Sequence, residues 1–495
     1  MSKVKIGWSE VSITPDRKVS LAGQFFERIS EYVETPITVT AMAVEADGDH
    51  MVMCSCDLTS IGSNLVSLVR EKLAGVPGLN PDNVMLAATH THTSIKYTSK
   101  RNISAESSLQ VLKEFIPEGK SYKELVEADS SVLQGDEGLY YIVDRVVKAV
   151  TEAWENRKYA MYANEFGRAA VGMCRRVCYN DGSAKMWGDT DTATFTHLEG
   201  GNDSGIELIF TYDENKKLTG VVANIACPSQ VVEQRSFISS DYWGKVKILL
   251  REKFGEDLFV LCLGGAGGDQ CPRDLVRWVD PETPIDDPNV VRENVTVRKA
   301  DPSMYDIAGT WKIGKRVARE IIDVIEEMPE EDIKSEAIFC HEKIMLDLPL
   351  RRVTPKEYEN AKKAIEEFVA KTDSFNFADN AAMHVHAGTI ARYKQQETVD
   401  IYPTEVHIAR FGDVAFATNA FELFLDFGNQ IKARSHAQQT FIVQLCCGRD
   451  GYLPTEKAEQ GSHYSAYVSS GVTGHAGGEL LVRKSIQEIN KMMEK

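Results

Sequence analysis

Val84-Met85-Leu86-Ala87-Ala88-Thr89-His90-Thr91-His92-Thr93 is an apolar run that stops in two histidines one residue apart. Such a run reads as a buried strand, and residues at i and i+2 of a strand share a face. His90 and His92 are therefore expected to converge on one object. Imidazole is the commonest protein ligand for zinc and a general base near neutral pH, which makes this strand end a candidate metal site. Two satisfied surface histidines are the competing reading, and the preceding strand and flanking threonines weigh against it.

Around this stretch, strands and helices alternate. Ile37–Glu45 and Met51–Asp57 read as strands, Ser63–Lys72 as an amphipathic helix and Gly138–Asn156 as a long helix. Further on, Glu207–Tyr212 and Leu218–Ala226 form a strand pair, Trp243–Lys253 a helix and Leu258–Leu263 a short apolar strand ending in glycines. Strands return at Glu405–Phe411, Val414–Thr418 and Phe441–Cys446, with Glu422–Ala433 read as a helix and a last helix from Gly478. The pattern predicts an α/β fold of mixed sheets flanked by helices. It is read as one domain over residues 1–495, with surface insertions at about 98–135, 273–305 and 355–398.

The 495 residues carry a net charge of −17 and are 43% hydrophobic. The acidic balance argues against nucleic acid or anionic lipid surfaces as main partners. No secretory leader or membrane span is visible, and ten scattered cysteines fit a reduced, cytoplasmic protein. A homo-oligomer is compatible with this composition.

Four more segments at strand ends carry chemistry. Val221–Gln230 runs through Asn224 and stops at Cys227-Pro228, where a buried structural thiol competes with a ligand thiol. Gly264-Gly-Ala-Gly-Gly268-Asp269-Gln270-Cys271-Pro272 lets a substrate approach the chain closely, but lacks the Gly-Lys-Ser/Thr of a phosphate loop. Thr418–Phe424 places Glu422 among large apolar residues, as a ligand or as a first-turn glutamate favoured by the helix dipole. Gly448–Tyr464 sets Tyr452 and Tyr464 twelve residues apart, and Arg175-Arg176 lies among apolar residues. Each has an ordinary packing explanation alone. Together they fall where α/β folds place sites.

The order and wording of these segments resembles the neutral/alkaline ceramidase family, catalytic domain only. The resemblance runs from Lys5-Ile-Gly-Trp and Val11-Ser-Ile-Thr-Pro15 through Ala88-Thr-His-Thr-His92. It continues through Asn224…Cys227-Pro-Ser, Ser239-Ser-Asp241-Tyr-Trp-Gly244 and Gly267-Gly-Asp269-Gln-Cys271-Pro272 to Glu422 and the two tyrosines. It implies zinc-dependent amide hydrolysis, with His90, Cys227, Glu422 and Tyr452 on the metal and His92, Arg175 and Tyr464 facing a small or amphipathic substrate. Zinc lowers the pKa of water and polarises a carbonyl, and cationic or phenolic donors stabilise the tetrahedral intermediate.

This chain departs from the family in three places. Cys227 stands where the family has a ligand histidine, Thr93-Ser-Ile-Lys-Tyr97 replaces Ser-Gly-Pro-Gly, and Cys271 replaces a serine. Ceramide is accordingly a less natural substrate than something smaller or more polar. Three other readings remain: a non-catalytic ligand- or metal-binding protein on the same scaffold, an amidohydrolase-type barrel, and a Cys271 nucleophile with His92 as base.

Overall fold

The computed structural model describes residues 1–24, 27–100, 108–117, 131–279, 299–300, 304–371 and 377–495. Much of two expected insertions, about 98–135 and 273–305, lies outside the described residues.

Three four-stranded units form the centre. The first holds β1 (Lys5–Ser12), β2 (Thr38–Ala46), β3 (Asp49–Cys56) and β4 (Val84–Ala88) in the order β4-β3-β2-β1, with the two-residue strand Lys158–Tyr159 beyond β1. The second holds β5 (Met161–Arg168), β6 (Gly205–Tyr212), β7 (Leu218–Ile225) and β8 (Phe259–Gly264) in the order β8-β7-β6-β5. The third holds β9 (Phe339–Pro349), β10 (Ile401–Phe411), β11 (Val414–Thr418) and β12 (Gln439–Val443), in sequence order.

Each sheet is antiparallel except for one pair: β3–β4, β7–β8 and β11–β12 are parallel. A parallel pair needs a crossover, and here each crossover contains a helix. These are α1 (Ser63–Leu73), α4 (Asp241–Phe254) and α8 (Leu425–Arg434); the chain also forms α2 (Ser108–Phe115), α3 (Gly135–Glu155), α5 (Asp306–Glu327), α6 (Pro355–Lys371), α7 (Phe377–Gln395), α9 (Glu456–Gly461) and α10 (His475–Met493).

Side-chain alternation sorts the core. Val221, Ala223 and Ile225 of β7 pack with Tyr242, Val246 and Ile313 from α4 and α5, whereas Val222 faces the other way. In β11, Ala415 and Ala417 face a cluster with Phe427, Leu481 and Ile486 from α8 and α10; Val414 and Phe416 face inward. The inward faces of the second and third sheets share one core with the first sheet and α3. Gly7 lets α3 seat closely, since a Cβ there would lie 2.1 Å from the Ala153 carbonyl oxygen. Burying these faces is what holds the sheets together, at roughly 25 cal/mol per Å² of apolar surface.

The α/β reading with mixed sheets and flanking helices holds. No closed eight-stranded parallel barrel is present among the described residues, which removes the amidohydrolase-barrel reading. Within the three central sheets, β5 and β9 escaped sequence inspection; both lie at sheet edges and carry charged, partly exposed residues. Glu422 is not in a helix. Glu422–Leu423 is a short strand paired in parallel with Tyr452–Leu453, and α8 starts only at Leu425. No helix among the described residues is long and apolar enough to cross a membrane.

Candidate active site

The segments leaving the C-terminal ends of β4, β7, β8, β11 and β12 come together. The two histidines do so by a route other than the strand pleat. β4 ends at Ala88, and His90 adopts φ +65°, an uncommon conformation outside glycine. That turn, rather than a shared strand face, brings the His90 and His92 rings edge to face at 4.7 Å. The backbone is held by Thr89 N–H to the Cys56 carbonyl, His90 N–H to the Leu58 carbonyl and His92 N–H to the Ser229 carbonyl.

His90 Nδ1 lies 2.6 Å from the Thr59 carbonyl oxygen. A carbonyl can only accept, so Nδ1 carries a proton and Nε2 is the nitrogen that faces the site. Nε2 lies 3.4 Å from Glu422 Oε2 and 3.3 Å from His92 Nε2. Burial alone would raise the Glu422 carboxyl, but His90, Arg175 and the Tyr452 hydroxyl hold it down at about 2. Glu422 is thus an anion beside the His90 ring.

Tyr452 reaches Glu422 through their parallel pairing, and its hydroxyl lies 3.4 Å from Tyr464 Oη. Burial pushes Tyr452 well up and Tyr464 up to about 12, so both are neutral phenols able to donate. The buried Arg175 donates from Nη1 to Gln230 Oε1 at 3.2 Å and from Nη2 to the Gly268 carbonyl at 3.0 Å; Nη2 also lies 3.5 Å from Tyr452 Oη. His92 is kept neutral by burial, reinforced by His90.

Of the seven predicted site residues, six form one contact network: His90, His92, Arg175, Glu422, Tyr452 and Tyr464. Cys227 does not join it. Its Sγ turns to the Pro228 carbonyl oxygen at 3.5 Å and packs with Val171, Tyr242 and Trp243 against α4. Val221, Ala223 and Ile225 of β7 face that helix layer, and Cys227 continues into it. Burial pushes its thiol well up, leaving it protonated. Cys271 is likewise a protonated thiol, pushed up to about 12 by burial and bonded to the Arg273 carbonyl oxygen at 3.2 Å, which does not suit a nucleophile.

The glycine run serves a different approach from the one expected. A Cβ on Gly268 would lie 2.3 Å from the Glu422 carbonyl oxygen, so the glycine admits the Glu422 backbone rather than a substrate. Gly23 has a similar role at φ +99°, where a Cβ would meet the His92 ring base at 2.6 Å.

Sequence inspection missed Glu233, whose Oε2 lies 3.3 Å from His92 Nδ1. The contact is off hydrogen-bond alignment, and Nδ1 has no hydrogen-bond partner among the described residues. Burial raises the Glu233 carboxyl to about 7 against Arg175, Arg28 and Arg273. The short chain from Cys227-Pro228 to Glu233, running beside His92, was the available signal.

Among the described residues, one group of three His, Cys, Asp or Glu side chains keeps its ligating atoms within 4.8 Å of one another: Glu405, His407 and Cys447. It is distinct from the six-residue network, and Arg70 already supplies its cation, 2.8 and 2.7 Å from the two Glu405 oxygens.

These helix-flanked mixed sheets are a fold that the chain shares with solved ceramidases. The chain aligns over 100% of its length with a neutral ceramidase from Pseudomonas aeruginosa, at a TM-score of 0.67, 16% identity and 75% coverage of that chain. It aligns over 100% of its length with a ceramidase described as complexed with C2, at a TM-score of 0.65, 14% identity and 76% coverage. At such identities the likeness is one of fold. No family profile and no curated protein sequence matches the chain.

Proposed function

We propose that this chain is a ceramidase-like, metal-dependent hydrolase that cleaves an amide or related bond in a small or amphipathic substrate. The observation that carries the proposal is the pairing of His90 Nε2, freed by its Nδ1 bond to Thr59, with the ionised Glu422 at 3.4 Å. Two ligands at 2.0–2.1 Å on a tetrahedral zinc ion stand roughly 3.3–3.4 Å apart, so this pair fits zinc. Tyr452, bonded to Glu422, is the third donor. Cys227 stands outside the set as arranged.

A zinc ion at that point would supply Lewis acidity. The protein's own groups supply the rest. The fixed Arg175 guanidinium and the neutral Tyr464 hydroxyl donate toward developing negative charge. His92, kept neutral by burial and with Nε2 toward His90, is placed to contact the substrate. The close packing of Gly268 and Gly23 holds Glu422 and His92 in place.

Elemental analysis of the purified protein tests the proposal together with hydrolysis of a panel of N-acyl compounds. One zinc per chain, lost on Glu422→Gln, and release of fatty acid are expected. A folded protein that takes up no metal on zinc dialysis would sink the proposal.

A further inference from the structure

Two adjacent cysteines lie in the segment that brackets the candidate site. After β12, Leu445 donates to the Phe421 carbonyl and Cys446 to the Asn419 carbonyl, which fixes the approach to Glu422. The same segment grips the His90 strand: Ala88 donates to the Leu445 carbonyl, and Cys447 to the Leu86 carbonyl. Gln444, next in line, accepts from Leu423 N–H and Gly267 N–H at 3.2 and 3.1 Å. Leu445 and Cys447 hold φ values of +50° and +54°, a strain that persists only where the surroundings enforce it.

The Cys447 sulfur sits in a nest of donors. Leu86 N–H points to it at 3.4 Å, Arg70 Nη2 lies at 3.8 Å and the Cys446 thiol at 3.9 Å. Arg70 is fixed by both Glu405 oxygens and by the Pro81 and Val84 carbonyls. His407 belongs to the same cluster, anchored at 2.9 Å by His341. Two acceptors also lie near the sulfur, the Val84 carbonyl at 3.9 Å and a Glu405 carboxylate oxygen within 4.8 Å. The Val84 carbonyl is already engaged by Arg70 Nη2 at 3.1 Å, and the Leu86 and Arg70 donors suit a thiolate, the reactive form of cysteine.

We propose that Cys447 is the chain's reactive thiol and that Cys446 and Cys447 form a hydroperoxide-sensitive pair. The Cys447 thiolate attacks the distal oxygen of a hydroperoxide, breaking the O–O bond to give a sulfenic acid and an alkoxide or hydroxide, which takes up a proton. The Cys446 sulfur then attacks the sulfenic sulfur, releasing water and leaving a disulfide between neighbours; two electrons have passed from the thiols to the peroxide. Arg70 and Glu405, which border the cluster, keep 14% and 13% of their side-chain surface in solvent. The hydrogen bond from Cys446, with that from His407, draws the Cys447 thiol below its ordinary value against burial, whereas burial keeps Cys54 and Cys56 high. Closing the disulfide removes a donor from Cys447 and twists the backbone that holds Ala88 and Phe421.

The test uses the whole chain and needs no substrate or metal. At pH 6.5, iodoacetamide with peptide mass analysis should label Cys447 first of the ten cysteines, and Arg70→Gln should slow it about tenfold relative to Cys340. Hydrogen peroxide should leave the 446–447 peptide two hydrogens lighter, reversibly with dithiothreitol, and speed amide exchange around residues 86–88 and 419–421. Cys446→Ser should stop at a dimedone-reactive sulfenic acid. First labelling at another cysteine, a disulfide from Cys447 to Cys54 or Cys56, or unchanged amide exchange in the oxidised protein would each overturn the proposal.

Discussion

Arg176 offers the sharpest energetic test of the structure. The side chain is fully buried, and its Nε donates to Glu199 Oε1 at 2.8 Å while Glu199 is itself 5% exposed. The other nitrogens bind the loop that carries Tyr464. Nη1 donates to the Tyr464 carbonyl at 3.1 Å and to Ser465 Oγ at 3.3 Å, and Nη2 to the Ala458 and Ser462 carbonyls at 3.1 and 2.9 Å. Arg176→Met removes all five bonds and leaves Glu199 buried without its cation. Breaking a buried ion pair costs about 3–5 kcal/mol, and each buried carbonyl left unpaired adds about 1 kcal/mol. The Ala458 carbonyl still accepts from Ser462 N–H, which leaves the Tyr464 and Ser462 carbonyls, and the expected loss is about 5–7 kcal/mol. Adding Glu199→Leu removes the stranded charge and should return about 2–3 kcal/mol, leaving the loop's cost in place. Guanidinium titration followed by tryptophan fluorescence measures both. A single variant within about 1 kcal/mol of wild type, or a double variant no better than the single, would refute the charge-burial argument.

Other outcomes follow from the site. His90→Asn, which keeps a residue tolerant of positive φ, should abolish zinc uptake in elemental analysis while leaving the circular dichroism spectrum unchanged. Cys227→Ala should retain zinc at the wild-type stoichiometry; its loss would return the thiol to the ligand set. Gly23→Ala, strained at φ +99° and pressed on His92, should cost about 1–3 kcal/mol in denaturant titration. Burial alone would raise the Glu10 carboxyl, but Lys247 and Arg251 hold it below its ordinary value. Its contribution to stability is therefore present above the unfolded carboxylate pKa and lost as pH falls through the lower folded value. Between pH 5 and pH 3, wild type should lose more stability than Glu10→Gln, as denaturation midpoints would show.

What the sequence revealed depended on how local the cause was. β4, β7 and β11 are short apolar runs that declare themselves, because both of their faces are buried. β5 and β9 are edge strands in which charge is tolerated, so their pattern is diluted. The helix expected from Glu422 fails for a non-local reason: the Asp269 carboxylate accepts the Leu425 N–H at 2.9 Å and sets the start of α8 from far along the chain. That leaves Glu422 in a strand beside Tyr452. The resemblance anticipated that six of the candidate residues would meet, but nothing local in the sequence showed it, and Glu233 was not anticipated at all. Cys227 shows the converse limit, since a position in a motif does not say which layer its side chain will face.

The parallel pairs have a consequence for the order in which the protein is made. His90 leaves the ribosome more than three hundred residues before Glu422 and Tyr452; it follows a strand of the first sheet, whereas those two pair with each other in a separate two-stranded sheet. Contacts this distant in sequence form late, after loop closure has been overcome. A chain interrupted before residue 422 would carry both histidines with no carboxylate opposite His90. Completion of the site is therefore a late event in biogenesis, and metal uptake during synthesis would serve as a clock for the docking of the last sheet.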